Sequence, residues 1–573
     1  MRSQSSVRRP FAAATLAAAA LLAAPAVRAA EKPEVIAVVA IDPYADLRSQ
    51  LTWVGEQVGN PMLAGFAESF IMLATQGKGL AGLDVNRPAG IVITTAGGPL
   101  PSAHALVPVK NLDTLLAAVQ GVVGPVETID GVRQIAPRGM PPLEITEKNG
   151  WAMFSQAGAE AAIDDPLALI GPLAKEYSLV AELFPGRMPQ ALRDQLAGIL
   201  DQASRQAAAQ GQPMDDTFLR AGIEGLDEVE RLVLGVAIDA DANDMHVDVT
   251  SVLAAGTEAA ARWKNADEAV STIASPATAD GKQAAIRGHS CLAVPAASRA
   301  AVEAGLEQAL AEVENDPAAG VVAGVVRDVV LAMLDAGGID AGLTVDTSAT
   351  GPESPLPAIT AGMKIKDGAA LQANVKERLG KADALPSTVK VAFDTGKEGA
   401  ATLHEIRFDL ADDPAARQFG DTVTITLAVT PDHAWLLAGG DVKKRLAATV
   451  AAGGKPVAGA APMAGVDVSL ASLVGYVATM TKLLEPDDPQ GEALAAVAEE
   501  AAGKPSTLVR LSARPIDRGL TLRLSADAGA LQTVAASTSA QAQPAPRIRP
   551  AVPLRPAAPS NQLEQDDAPS LAP

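Results

Sequence analysis

Two hydrophobic rhythms alternate along this chain. Short runs with apolar residues at every second position predict strands, and runs with apolar residues every third or fourth position predict helices. One stretch carries both. Val107-Pro-Val-Lys-Asn-Leu-Asp-Thr-Leu-Leu-Ala-Ala-Val119 reads as the end of a strand, an N-cap at Asn111, and a helix with Leu112, Leu115, Leu116 and Val119 on one stripe. It returns without a gap as Met363-Lys-Ile-Lys-Asp-Gly-Ala-Ala-Leu-Gln-Ala-Asn-Val375. Val109 falls on Ile365, Lys110 on Lys366, Asn111 on the alternative cap Asp367, Leu115 on Leu371 and Val119 on Val375. Such a repeat is the mark of an internal duplication.

The rest of the chain follows the same two rhythms. A strand at Val35–Ile41 precedes a helix spaced by Leu47, Leu51, Val54 and Val58. A second helix begins at Pro61 and is expected to bury Met62, Phe66, Phe70 and Leu73. A hairpin of Gly90–Thr95 and His104–Lys110 leads into the Asn111 helix. Strands at Val132–Ala136, Leu143–Glu147 and Trp151–Ser155 follow, the last two joined by an Asn149-Gly150 turn. After a strand at Leu179–Phe184 and a helix led by Pro189, the hairpin Arg231–Ile238 and Met245–Leu253 closes this half.

The second half repeats the order. Its strands are expected at Cys291–Val294, Gly342–Asp346, Ile359–Lys366, Val389–Phe393, His404–Phe408, Thr424–Val429, His433–Ala438 and Val466–Val468. A helix carries Leu473, Val477, Met480 and Leu484, and the hairpin Leu508–Ala513 and Leu520–Leu524 ends the half. The expected fold class is α+β: two tandem similar lobes of β-α-β-β-α-type units, with mixed, largely antiparallel sheets and helices on one face. The lobes span residues 30–265 and 283–534, joined by a linker at 266–282. Residues 535–573, rich in Ala, Ser, Gln and Pro, are expected to form a disordered tail.

Composition adds a destination. Arg8 and Arg9 precede an apolar run from Phe11 to Ala24, and Val27-Arg28-Ala29 supplies small residues at a cleavage spacing, so residues 1–29 read as a signal peptide. The twin-arginine motif is incomplete, which favours the general secretory route. No later stretch qualifies as a membrane span, since even Ala318–Leu334 is interrupted by Arg327 and Asp328. The formal net charge of −21 becomes −25 once the four arginines of the leader are removed. A chain this acidic repels phosphate backbones, so nucleic acid is not an expected partner. Cys291 is the one cysteine, so no intramolecular disulfide can form.

With Gly82-Leu-Asp-Val-Asn-Arg-Pro88, Val107-Pro-Val-Lys110 and Gly150-Trp-Ala-Met-Phe-Ser155 in this order, the chain resembles large exported bacterial proteins of unknown function built from tandem α/β modules. The second half keeps the element order but lacks the first and third strings. The resemblance implies export and modular architecture, and it implies no catalytic residues.

Candidate chemistry is sparse. Gly288-His-Ser-Cys-Leu292 approximates a nucleophile elbow around Ser290, but Leu292 stands where the elbow needs glycine. Asp239-Ala-Asp-Ala-Asn-Asp244 offers calcium-type oxygens at Asp239, Asp241 and Asn243, without the loop's glycine or its terminal glutamate. The Asp84/Arg87 pair is a conceivable ligand clamp. The five histidines match no zinc-hydrolase spacing, so no cofactor or metal is expected. The reading that follows is an exported, non-enzymatic structural or binding protein, its partner a protein or a small apolar ligand in an inter-lobe cleft. A hydrolase with a carboxylate- or serine-based site and a carrier of apolar ligands are the alternatives.

Overall fold

The computed structural model describes residues 33–542, apart from 96–100, 138–140, 158–162, 191, 195–197, 199–201, 203–204, 206–227, 264–269, 274–283, 295, 312–316, 349, 351–354, 381–384, 412–415 and 456–462. The expected signal peptide and everything after Ala542 lie outside the described residues. Within them are twenty strands and thirteen helices, an α+β fold rich in sheet.

The first ten strands are β1 (Glu34–Ile41), β2 (Ala89–Thr95), β3 (Pro101–Pro108), β4 (Val126–Ile129), β5 (Val132–Ile135), β6 (Leu143–Lys148), β7 (Trp151–Gln156), β8 (Leu179–Leu183), β9 (Val229–Asp239) and β10 (Asp244–Leu253). The second ten are β11 (Ile286–Ala293), β12 (Gly338–Asp346), β13 (Ala358–Lys364), β14 (Val389–Glu398), β15 (Ala401–Asp409), β16 (Thr422–Val429), β17 (His433–Ala438), β18 (Ala464–Ser469), β19 (Leu508–Ile516) and β20 (Gly519–Asp527).

Their pairings join them into one sheet. The order is β4-β5-β6-β7-β3-β2-β1-β8-β9-β10 and then β20-β19-β18-β11-β12-β13-β17-β16-β15-β14. Every one of these pairs is antiparallel, where mixed, largely antiparallel sheets were expected. Read inward from either edge, each strand of the first half meets the strand ten later in the second. The two halves join where β10 lies against β20, in register from Asp244↔Asp527 to Val252↔Gly519.

Helices cover both faces of the sheet, not one. On one face, α3 (Leu112–Val123) buries Leu112, Leu115 and Leu116 against Val109, Ile145 and Ala152. On the same face of the other half, α8 (Gly368–Gly380) buries Leu371, Val375 and Leu379 against Ile365 and Val429. The opposite face takes α4 (Pro166–Ala174), whose Ile170 and Leu173 meet Val38, Val92, Leu106 and Val180. It also takes α10 (Val442–Ala452), whose Leu446 meets Trp435 and Leu437. The reason lies in runs such as Val38-Val39-Ala40, which are apolar on consecutive residues and so need cover on both sides.

The repeated stretch folds alike in both places. Asn111 Oδ1 accepts from the Thr114 amide at 2.8 Å, and Asp367 Oδ1 from the Ala370 amide at 3.0 Å. The Lys110 amide donates to the Gly82 carbonyl at 2.9 Å, and the Lys366 amide to the Ala332 carbonyl at 3.2 Å. Gly82 has φ +87°, and a Cβ there would lie 2.4 Å from the Leu115 amide nitrogen, so this approach needs glycine.

Two expectations fail on the helices. α1 (Tyr44–Gln57) is followed by α2 (Leu63–Ala74), and the apolar stripe associated with α2 does not enter a core. Met62 is 61% exposed, Phe66 62%, Phe70 71% and Leu73 79%. α2 rests on α1 and the edge of α3, so its spacing is amphipathic without an inner side. Residues 535–542, expected to belong to the tail, are helical instead, as the end of α13 (Ala528–Ala542).

Candidate functional site

The seam between the halves is built from two hairpins, β9–β10 and β19–β20, and β10, β19 and β20 are apolar on one parity and largely polar on the other. Residues of one parity line up across the strands: Val233, Thr250, Thr521 and Arg514 in one row, and Gly235, Asp248, Arg523 and Ser512 in the next. This polar side carries a cavity of about 590 Å³. That volume falls within the range of roughly 300–1,000 Å³ found for small-molecule sites.

At its floor Asp248, 1% exposed, takes both arms of Arg523, Nε at 2.8 Å and Nη2 at 2.6 Å. The Tyr177 hydroxyl donates to the same carboxylate at 3.1 Å. Burial alone would raise the Asp248 carboxyl, but the hydrogen bonds and charge of Arg523, with the tyrosine, outweigh it and hold it below the usual range. Burial, then the charge of Asp248, pushes the Tyr177 phenol up. Tyr177 also explains Gly235, where a Cβ would lie 2.3 Å from the ring. The pair ties β10 to β20 and is a buried charged tie between the halves.

Around this floor stand Arg231, Arg514 and Arg518, with Val233, Val252 and Ile516 as an apolar flank. Arg231 is matched by Glu182 at 3.3 Å and Arg518 by Glu230 at 2.6 Å. Arg514 has no ion-pair or hydrogen-bond partner among the described residues. The hydroxyls of Thr250 and Thr521 lie 2.9 Å apart and bond each other. In such a pair one hydroxyl spends its proton on the other, whose own proton is left to donate. The groove therefore offers surplus donors beside an apolar wall.

None of these residues stood out in the linear chain. The available signal was parity: His246, Asp248 and Thr250 on β10, and Thr521, Arg523 and Ser525 on β20, put polar groups on one side of strands whose other side is apolar.

The candidates singled out from sequence lie elsewhere and are not brought together. Ser290 sits inside β11, which starts earlier than expected, and is paired with Ala341 on one side and Ala464 on the other. It is not on a strand-to-helix turn. Cys291 beside it is buried, and burial, with Asp340 nearby, pushes its thiol up. Asp239, Asp241 and Asn243 form the β9–β10 turn: Asp239 Oδ1 accepts from the Ala242 amide at 2.8 Å, Asn243 has φ +55°, and its Oδ1 faces Trp53 Nε1 at 3.5 Å. Among the described residues no group of three or more His, Cys, Asp and Glu is placed to hold a metal ion. Asp84 and Arg87 do not converge as a clamp. Arg87 stacks on Trp151 at 4.5 Å and donates to the Gly150 carbonyl at 3.2 Å, while Asp84 faces Lys110 at 3.8 Å.

Two histidine constellations escaped the sequence reading. His104, fully buried, sits between Ser155 Oγ at 2.7 Å and Thr94 Oγ1 at 3.1 Å, and burial pushes its pKa down to about 4. A serine–histidine pair with no route to solvent is a polar core contact. His433 meets Asp432 at 2.9 Å and Thr272 Oγ1 at 3.2 Å. The Thr272 hydroxyl donates to Asp340 at 2.8 Å, so its proton is directed away from the imidazole. Thr272 and Ser271 belong to the expected linker and are bonded here to β12, with Ile273 buried beneath.

The other side of the seam is unlike the groove. Leu234, Val249 and Leu522 form one exposed row, and Leu524, Leu511 and Val466 another. No helix among the described residues is long and apolar enough to cross a membrane. No protein-family model matches the chain, and no curated protein or solved structure does.

Proposed function

We propose that this is an exported, non-enzymatic binding protein, made by internal duplication, that holds a small ligand in the groove at the seam. The strand order supports the duplication, since each half contributes ten strands in the same arrangement and the same capped helix after its third. The observation that carries the binding reading is the groove itself: a cavity of about 590 Å³ on the seam whose Arg514 has no partner among the described residues. Its lining of arginines and threonines directs the expectation away from a purely apolar ligand. A thermal-shift screen of the full chain against a chemically mixed small-molecule library tests this, repeated with Thr521→Trp to fill the groove and Arg514→Glu to reverse its charge. Compounds that raise the Tm of the wild type and of neither variant support the reading. A screen without hits, or hits indifferent to both variants, overturns it.

A second reading rests on the exposed leucine rows across the seam, which favour a carrier or docking face for apolar partners. Binding of an apolar fluorescent dye, abolished by Leu511→Lys, is its expected signature.

A further inference from the structure

The geometry points to a specific ligand class for the seam groove: a monocarboxylate with an apolar body. This rests on the binding reading above and deepens it. Arg514 lies directly opposite Thr521, and Thr521 directly opposite Thr250, so guanidinium and hydroxyls share one row and one side of the sheet. A guanidinium presents parallel N–H donors that match the two oxygens of a carboxylate. The Thr250–Thr521 pair leaves one further hydroxyl proton in the same row. The other two rim arginines are already matched by Glu230 and Glu182, so the uncompensated charge of the row is that of Arg514. That single guanidinium suits one carboxylate. A dianion such as phosphate would instead meet Asp248, Glu176 and Asp517, which also line the groove, with too little positive charge to offset them.

The rest of the ligand is set by Val233 and Val252, both buried, and by Leu173, Pro515 and Ile516. These give the cavity an apolar flank continuous with the Thr250 row. A head on Arg514 and a hydrocarbon body along this flank use both.

The test is isothermal titration calorimetry of the full chain with sodium octanoate, with sodium acetate as head without body and 1-octanol as body without head. Octanoate is expected to bind at least tenfold more tightly than either control. Arg514→Gln should weaken octanoate about tenfold or more, the loss of a charge-assisted contact. Arg514→Lys, which keeps charge without the fork, should fall between, and Thr521→Val should cost a few-fold. No octanoate binding, equal affinity for wild type and Arg514→Gln, or octanol binding as tightly as octanoate would each overturn the inference. Its failure is separable from failure of the binding reading: screen hits that are neutral or cationic and lost in Thr521→Trp would leave a ligand groove standing and remove the carboxylate.

Discussion

The same place in the two halves is filled in two ways. Between the first and second strands of each half run two helices: α1 and α2 in the first, and α6 (Ala296–Ala311) and α7 (Pro317–Asp335) in the second. The apolar positions of α7, among them Val321, Val325, Val329 and Met333, pack into the core that holds Ile365, Leu371 and Val375. Those of α2 face outward. Both helices carry apolar residues at helical spacing, so periodicity alone does not say whether a stripe has a core to enter. The sheet shows the opposite behaviour. Its strands keep one order in both halves, because hydrogen-bonded register ties each strand to two neighbours at once.

A second contrast lies inside the cores. The unshifted repeat carries His104 onto position 360, which is Thr360. The first half satisfies its buried polar spot with a neutral imidazole between two hydroxyls. The second half brings Arg445 from α10, whose Nη1 donates to Thr360 Oγ1 at 2.5 Å and to the Ile359 carbonyl at 2.8 Å, and whose Nη2 donates to the Ala438 carbonyl at 2.8 Å. Burial lowers the Arg445 pKa, with Asp346 and Asp441 acting against it. Buried polar groups need partners, and two chemistries supply them at one position.

The largest effect is expected at the seam. Arg523→Met leaves Asp248 buried without its cation, which should destabilise the fold by about 3 kcal/mol, the lower end for a broken buried pair because Arg523 is partly solvated. Because the Asp248 carboxyl is depressed in the fold, its contribution is complete above its unfolded pKa, about 3.9, and is lost as pH falls through the folded value. Urea unfolding at pH 7 and pH 3 should therefore show the wild type and Arg523→Met converging at the lower pH. Equal stability of the two at pH 7 would break the idea that this buried pair ties the halves.

The helix contrast is sharpened by a pair of truncations. Met333→Ala on α7 should cost about 3 kcal/mol, as buried methionines do, whereas Phe70→Ala on α2 should stay within about 0.5 kcal/mol. A comparable loss for Phe70→Ala would mean that the α2 stripe is covered in solution.

Acid should then distinguish the two polar cores. With the His104 pKa down to about 4 in the fold and near 6.5 when unfolded, the unfolded chain binds the extra proton between these values. The wild type should lose on the order of 2 kcal/mol between about pH 6.5 and 4 from this group alone. His104→Thr, which copies the residue of the other half, should flatten that part of the profile even if it lowers stability overall. An unchanged slope would show that another group carries it.

Strand alternation makes most of the sheet legible in the sequence, and the expected strand His433–Ala438 matches the observed one to the residue. The Asn149-Gly150 hairpin was equally plain, since both residues take positive φ there. Starts and ends were not, as β11 shows: Gly288, His289 and Ser290 do not look like strand residues, yet they are held between β12 and β18. From sequence, residues 318–334 of α7 read only as an apolar run interrupted by Arg327 and Asp328. The seam groove was hidden for a different reason. Arg514, Thr521 and Thr250 come from three strands, and Thr250 lies more than 250 residues before the other two. A local motif search has nothing to find in such a set.

The helix caps give the sharpest test of likeness between the halves. Asn111→Ala and Asp367→Ala each remove one side-chain acceptor from a helix N-terminus, leaving an amide to water. Each should cost about 1 kcal/mol. The aspartate has a charge that favours a helix N-terminus and the asparagine has none, so Asp367→Ala should exceed Asn111→Ala by a few tenths at low salt. Added salt should close that gap. The two caps sit in different halves and share no partner, so the double variant should show the sum within about 0.5 kcal/mol. Chemical denaturation of the wild type, both single variants and the double variant reads all of this from one set of curves. A cap worth nothing in one half and the full amount in the other would mean that the repeated stretch shares a shape without sharing the interaction that stabilises it.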